Sequence, residues 1–128
     1  MDKNIVTIPY KFPSLNDYVD VCRSDRYKAA RLKKDIQRDI SYFVKRLPRY
    51  NCPVKIHFHW IEGNKKRDYD NVAFAKKFIL DAMVEYGILK DDNRKCVVAF
   101  TDTFEHSDRF SVMIEVERAD NGTEEENN

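Results

Sequence analysis

Between Arg26 and Leu47 apolar residues recur every three or four positions: Leu32, Ile36, Ile40, Phe43 and Leu47 fall on one stripe. That is the spacing of a helix that buries one face. Arg31, Lys34, Arg38 and Lys45 lie off the stripe, so the exposed side is strongly basic. The helix begins at about Asp17 or Arg26, after a loop in which Ser14 or Asn16 can cap it, and Pro48 stops it. Ile5–Ile8 is a short β-prone run ahead of that loop. Residues 53–61 alternate as a strand does, with Val54, Ile56, Phe58 and Trp60 on one face and Lys55, His57, His59 and Ile61 on the other. A second helical period runs from about Asp70 to Tyr86, with Val72, Ala75, Ile79, Ala82, Met83 and Tyr86 on its apolar side and Gly87 placed to close it. Residues 95–103 and 109–117 read as two strands, and the loop Glu105-His106-Ser107-Asp108 predicts an antiparallel hairpin between them. The order β-α-β-α-β-β predicts an α+β fold, a mixed sheet with helices packed on it.

Composition narrows the class. The 128 residues (15.2 kDa) are enough for one core and one domain. Charged residues make up 35%, yet 8 Phe, 7 Tyr and 1 Trp exceed what a disordered chain carries. No apolar run nears the roughly 18 residues of a membrane span, and MDKNIVTIPY lacks a charged-then-apolar signal region. Cys22, Cys52 and Cys96 have neither disulfide-scaffold nor zinc-like spacing. The expectation is a cytoplasmic protein with reduced thiols and no membrane contact. Residues 1–118 form the expected domain, and 119–128, acidic and without apolar anchors, the expected disordered tail.

The net charge of +1 conceals an asymmetry. Asp120, Glu124, Glu125 and Glu126 sit in the tail, and without them the balance is 23 basic to 18 acidic residues. From Arg23 to Arg49 there are ten Lys or Arg against three Asp, and Lys65-Lys66-Arg67 precedes a pair of aspartates. Such clusters steer polyanions to a site, although a charge run also serves simply as a solvated face.

Chemistry concentrates at the two ends of the second helix. Asp68 and Asp70 flank Tyr69 where a loop enters it, and Asp91-Asp92 follows its far end. Oxygen ligands in loops suit a hard cation such as Mg²⁺, whereas Asp70 also suits a helix cap. At 100° per residue, Lys77 and Asp81 share the azimuth of Asp70, and Lys76 does not. Lys77 can stabilise charge on a phosphate or pair with Asp81 at i, i+4.

Arg67-Asp68-Tyr69-Asp70-Asn71, a helix ending Leu80-Asp81-Ala82-Met83, then Gly87 and Asp91-Asp92, together with Pro13-Ser14-Leu15-Asn16, resembles the RusA family of Holliday junction resolvases. The family pattern is R-D-x-D-N, a lysine-bearing helix with an L-D-A-L-like end, Gly, then D-D, preceded by P-S-x-N. The match runs in order from about Ile5 to Val116. It implies a homodimeric, Mg²⁺-dependent endodeoxyribonuclease of phage or prophage type that nicks four-way DNA junctions symmetrically in recombination and repair. It implies Asp68, Asp70 and Asp92 as catalytic metal ligands, with Asp91 in support. The lysine departs from the pattern. Counting back from Asp81 selects Lys77, while counting forward from Asn71 reaches Phe74. Lys65, Lys66, Arg67, Arg31, Lys34, Arg38 and Asn16 are the candidate DNA contacts.

Other readings stay open. The fold could serve a metal-dependent nuclease acting on flaps, forks or loose duplex, or a DNA-structure-binding protein whose aspartates are caps. His57 and His59 share a strand face as metal ligands do, but no third His or Cys is spaced to complete a zinc site, which favours a polar sheet face or an interface. Tyr10, Tyr18 and Tyr27 lie among basic residues and can stack on bases or pack. Cys96 reads as a core residue.

Overall fold

The computed structural model describes residues 3–51 and 53–119. Cys52 and the acidic segment 120–128 lie outside the described residues. Eight elements follow in order: β1 (Ile5–Ile8), α1 (Leu15–Ser24), α2 (Arg26–Val44), β2 (Val54–Glu62), α3 (Tyr69–Ala73), α4 (Lys76–Glu85), β3 (Val97–His106) and β4 (Ser111–Arg118). The chain is a small α+β unit with a mixed four-stranded sheet, ordered β1-β4-β2-β3.

β2 is the hub of that sheet. It pairs antiparallel with β4 and parallel with β3, and a parallel neighbour requires a crossover, here α3–α4. Its alternation is as the sequence predicts: Val54, Ile56, Phe58 and Trp60 are buried beneath the helices. Val6, Ile8, Val112, Ile114 and Val116 continue that buried face across β1 and β4, opposite Ile36, Ile40 and Val44 of α2 and Phe78, Ile79, Ala82 and Met83 of α4. The opposite sheet face is polar, carrying His57, His59, Thr101, Thr103 and Glu105, and no helix of the described residues covers it. No helix of the described residues is long and apolar enough to cross a membrane.

The predicted β3–β4 hairpin does not form, because β2 lies between the two strands. The connecting residues include no Asn-Gly or Asp-Gly pair to turn the chain tightly. They cross the end of β2 instead, where Ser107 N–H donates to the Glu62 carbonyl at 2.9 Å. The Phe110 ring settles over Gly63, where an added Cβ would come within 2.7 Å of it. Gly63 is therefore small for the sake of this crossing.

Both predicted helices are broken. Asp25 ends α1, with its N–H donating to the Val21 carbonyl, and starts α2, with its carboxylate accepting from the Tyr27 and Lys28 N–H groups. One residue thus serves both helix ends, and its extended backbone turns the corner. The second helix is interrupted at Phe74–Ala75. There Ala75, Lys77 and Phe78 bond to carbonyls three residues back, which tightens the turn and advances the azimuth faster than 100° per residue. The far end is as expected. Gly87 has φ +77°, its N–H donates to the Val84 carbonyl, and the Ile88 N–H reaches the Met83 carbonyl at 2.8 Å. That is a Schellman closure, which favours glycine. Ala119, assigned to the tail by composition, donates to the Pro53 carbonyl at 2.9 Å.

Because Asp25 caps α2 through two hydrogen bonds, Asp25→Ala should lower stability by about 1 kcal/mol. In a thermal melt followed by circular dichroism that is a fall of roughly 3–6 °C. An unchanged melting temperature would mean that the corner is held by packing alone.

Candidate functional site

Past Gly63 the chain is fixed by Arg67. Its Nε and Nη2 donate to the two carboxylate oxygens of Glu62 at 2.9 and 2.8 Å, and Nη1 donates to the Phe12 carbonyl at 2.6 Å. Such a two-pronged pair is geometrically strict. A second tie lies close by, where the Asn71 side chain accepts from the Asn16 N–H at 3.0 Å. The segments around Pro13–Asn16 and Arg67–Asn71, far apart in sequence, are thereby joined. Ser14 starts α1 by accepting from the Asp17 N–H.

Asp68 and Asp70 are presented on this frame. Asp68 is the N-cap residue of α3 and Asp70 lies in the first turn, so the sequence assignment of Asp70 as the cap shifts by two residues. The Asp68 side chain makes no capping hydrogen bond. Both carboxylates are exposed, and neither has a hydrogen bond or ion pair among the described residues. Neither carboxylate is committed to a side-chain bond among the described residues, and as oxygen ligands they match a hard cation.

Asp92 is also exposed and unpartnered, but it stands elsewhere. It lines a cleft of about 660 Å³ between α2 and α4 with Lys33, Lys34, Gln37, Asp81 and Glu85. Asp68 instead lines a cleft of about 440 Å³ where β2 and β3 end. Asp70 and Glu85 are separated along α3–α4 by roughly 20 Å at helical rise. Among the described residues no three His, Cys, Asp or Glu side chains come close enough to hold a metal ion. The structure thus brings Asp68 and Asp70 to one end and leaves Asp92 at the other. Asp91 shapes the turn before β3, accepting from the Asp92 N–H at 2.7 Å and from Asn93 at 3.1 Å.

The adjacent lysines diverge. Lys76 turns to the sheet, where Nζ lies 2.6 Å from Asp102 Oδ2 and 5.2 Å from the Phe100 ring centre. Trp60 Nε1 donates to the other Asp102 oxygen at 2.8 Å. Lys77 faces solvent, 63% exposed and 4.0 Å from Asp81. The Oδ2 of Asp81 is closed off from water and has no donor aligned on it, and the Lys33 ammonium balances it at 3.1 Å. Lys77 thus shares a face with Asp81 as the spacing predicts.

The basic candidates also divide. Lys65, Lys66, Arg31 and Lys34 are exposed. Arg38 pairs with Asp35 and Asp39. Arg67 is held in its ion pair with Glu62, so its guanidinium fixes the loop. Asn16 contributes its backbone N–H to the frame, and its side chain is exposed. Tyr10 hydrogen-bonds Asp39, and burial together with that carboxylate pushes its phenol up to about 12. Tyr18 packs against Phe74 and Phe78. Tyr27 is exposed beside Arg26. His57 and His59 hydrogen-bond Thr101, Thr103 and Glu105 across the open sheet face, and Cys96 is half-buried.

Two features escaped the sequence reading. One is the Lys76–Asp102–Trp60 knot. The other is the stack of Tyr69 on Phe104, with ring centres 4.0 Å apart and planes within 6°. Phe100, Asp102 and Phe104 alternate along β3 on the helix-facing side, a signal masked by the hairpin assignment.

Lys76→Ala would strand Asp102, whose side chain is only 22% exposed, and should lower stability by about 2 kcal/mol. Lys77→Ala should stay within about 0.5 kcal/mol of the parent. Urea unfolding of the two variants checks this, and equal losses would remove the distinction between the lysines. No protein-family model matches the chain, and no curated protein matches it.

Proposed function

We propose that the chain is a homodimeric, Mg²⁺-dependent endodeoxyribonuclease that resolves four-way DNA junctions by symmetric nicking. One observation carries the reading. Asp68 and Asp70, the acidic pair of the R-D-x-D-N motif, are held out by Arg67 and bear none of the capping bonds that would explain them structurally. Asp68, Asp70 and Asp92 are the residues that would hold Mg²⁺, which supplies charge neutralisation at the phosphate and a more acidic water.

Because Asp92 stands at the opposite end of α3–α4, Asp68 and Asp70 of one copy would act with Asp92 of a second. A two-fold dimer then carries two such sites, one for each of two strands of like polarity. Lys77, exposed and only weakly engaged, would stabilise charge developing on the phosphate as water attacks in line. Lys65, Lys66, Arg31 and Lys34 would hold the DNA backbone with little base readout. A second reading, a DNA binder without turnover, draws on the lack of a three-carboxylate group among the described residues.

The test is cleavage of a synthetic four-way junction with and without Mg²⁺, in competition with linear duplex. Asp70→Asn and Asp92→Asn should each abolish nicking and leave junction binding intact. Mixed dimers of the two should regain one intact site and nick one strand. Failure of the mixture to recover, with both variants folded and dimeric, would place all ligands within one chain. Near-normal cleavage by Asp70→Asn would remove the assigned centre altogether. In single-turnover assays Lys77→Ala should lower the rate by roughly 10²-fold, with binding weakened much less.

A further inference from the structure

We infer that Tyr69 is a stacking platform for a base displaced from a DNA strand, set between the two free aspartates. The inference rests on the nucleic-acid reading above and adds to it what part of the substrate lies at that end of α3. The Tyr69 ring lies flat on Phe104, centres 4.0 Å apart and planes within 6°, so its orientation is fixed before any ligand arrives. Yet Tyr69 remains 65% exposed, because Phe104 covers one face and the other is open. A large aromatic held rigid with a bare face is what a base stacks on, and stacking tolerates any sequence because every base has a π-face.

The surroundings fit that occupant. The Tyr69–Phe104 wall belongs to the cleft of about 440 Å³ that also holds Asn64, Lys65 and His106 beside the carboxylates Asp68 and Glu105. Asn64 accepts from the Lys66 N–H, which leaves its amide N–H₂ group to meet polar base edges, and Lys65 is exposed to meet a phosphate. A paired base offers its neighbours both faces and cannot stack there. The preference is therefore for strands unpaired at a branch point. The tyrosines selected by sequence do not compete for the role: Tyr10 and Tyr18 are packed, and Tyr27 has no aromatic partner among the described residues to fix its ring.

The experiment measures binding without divalent ion, so it does not depend on cleavage. Fluorescence anisotropy would give Kd for three labelled DNAs: a single strand, a four-way junction and a fully paired duplex. Tyr69→Ala should raise Kd for the single strand and the junction by about five- to fifty-fold and leave the duplex unchanged, whereas Tyr69→Phe should change none of the three by more than about twofold. Tyr69→Trp supplies a direct readout, since its emission should be quenched by the single strand and not by the duplex, beyond the change seen for the parent with buried Trp60. A duplex Kd that rises in step with the others would mean that Tyr69 supports the fold or the backbone contacts, which overturns the platform. So would an unchanged single-strand Kd, absent quenching, or a parent protein that binds none of the three. The nuclease reading fails on a different result, intact junctions after incubation of a DNA-binding parent with Mg²⁺.

Discussion

The guanidinium of Arg67 ties together three parts of the chain, one of them far away in sequence. It reaches Glu62 at the end of the central strand, the carbonyl of Phe12 ahead of α1, and by its own backbone the start of α3. With both partners largely shielded from water, the pair is strong only while its geometry is kept, and losing either member would leave a charge poorly solvated. The position of Asp68 and Asp70 follows from this. Their carboxylates have no partners of their own, so the frame beneath them must supply their placement. Asn71, by accepting from Asn16, sets the other side of the same turn. The motif is thus two tying residues around two free ones.

Much of the framework was legible because it rests on periodicity. The alternation of β2, the stripe of α2 and the glycine after α4 all report local geometry, and each stands where its pattern puts it. What could not be read depends on partners distant in sequence. Asp25 looks like any charged residue of a basic helix until its extended backbone makes it the end of one helix and the start of the next. The break at Phe74–Ala75 has no proline or glycine to announce it. The hairpin failed because two strands near in sequence were assumed to be near in space, whereas Gly63 and Phe110 let the chain step over β2.

The same limit applies to the candidate site. Residue types and their order pointed to Asp68, Asp70 and Asp92, but order along a chain does not give separation in space. Asp68 lies in the cleft where β2 and β3 end, and Asp92 in the one between α2 and α4. Arg67 reads as a phosphate contact by charge, and its position also makes it a tie, bonded to Glu62 and to the Phe12 carbonyl. Lys76 and Lys77, adjacent and chemically alike, are separated by a helix turn into one lysine that holds the sheet and one that faces solvent.

The pairing of β2 with β3 slips by one residue between Val54 and Lys55, where Val97 and Ala99 are consecutive partners and Val98 is passed over. β3 is an edge strand, and Val98 and Phe100 are exposed on it. A long, even, apolar edge invites further strands to add indefinitely. The irregularity falls beside those two side chains and bends the edge there, so a flat run of incoming backbone cannot keep step past it.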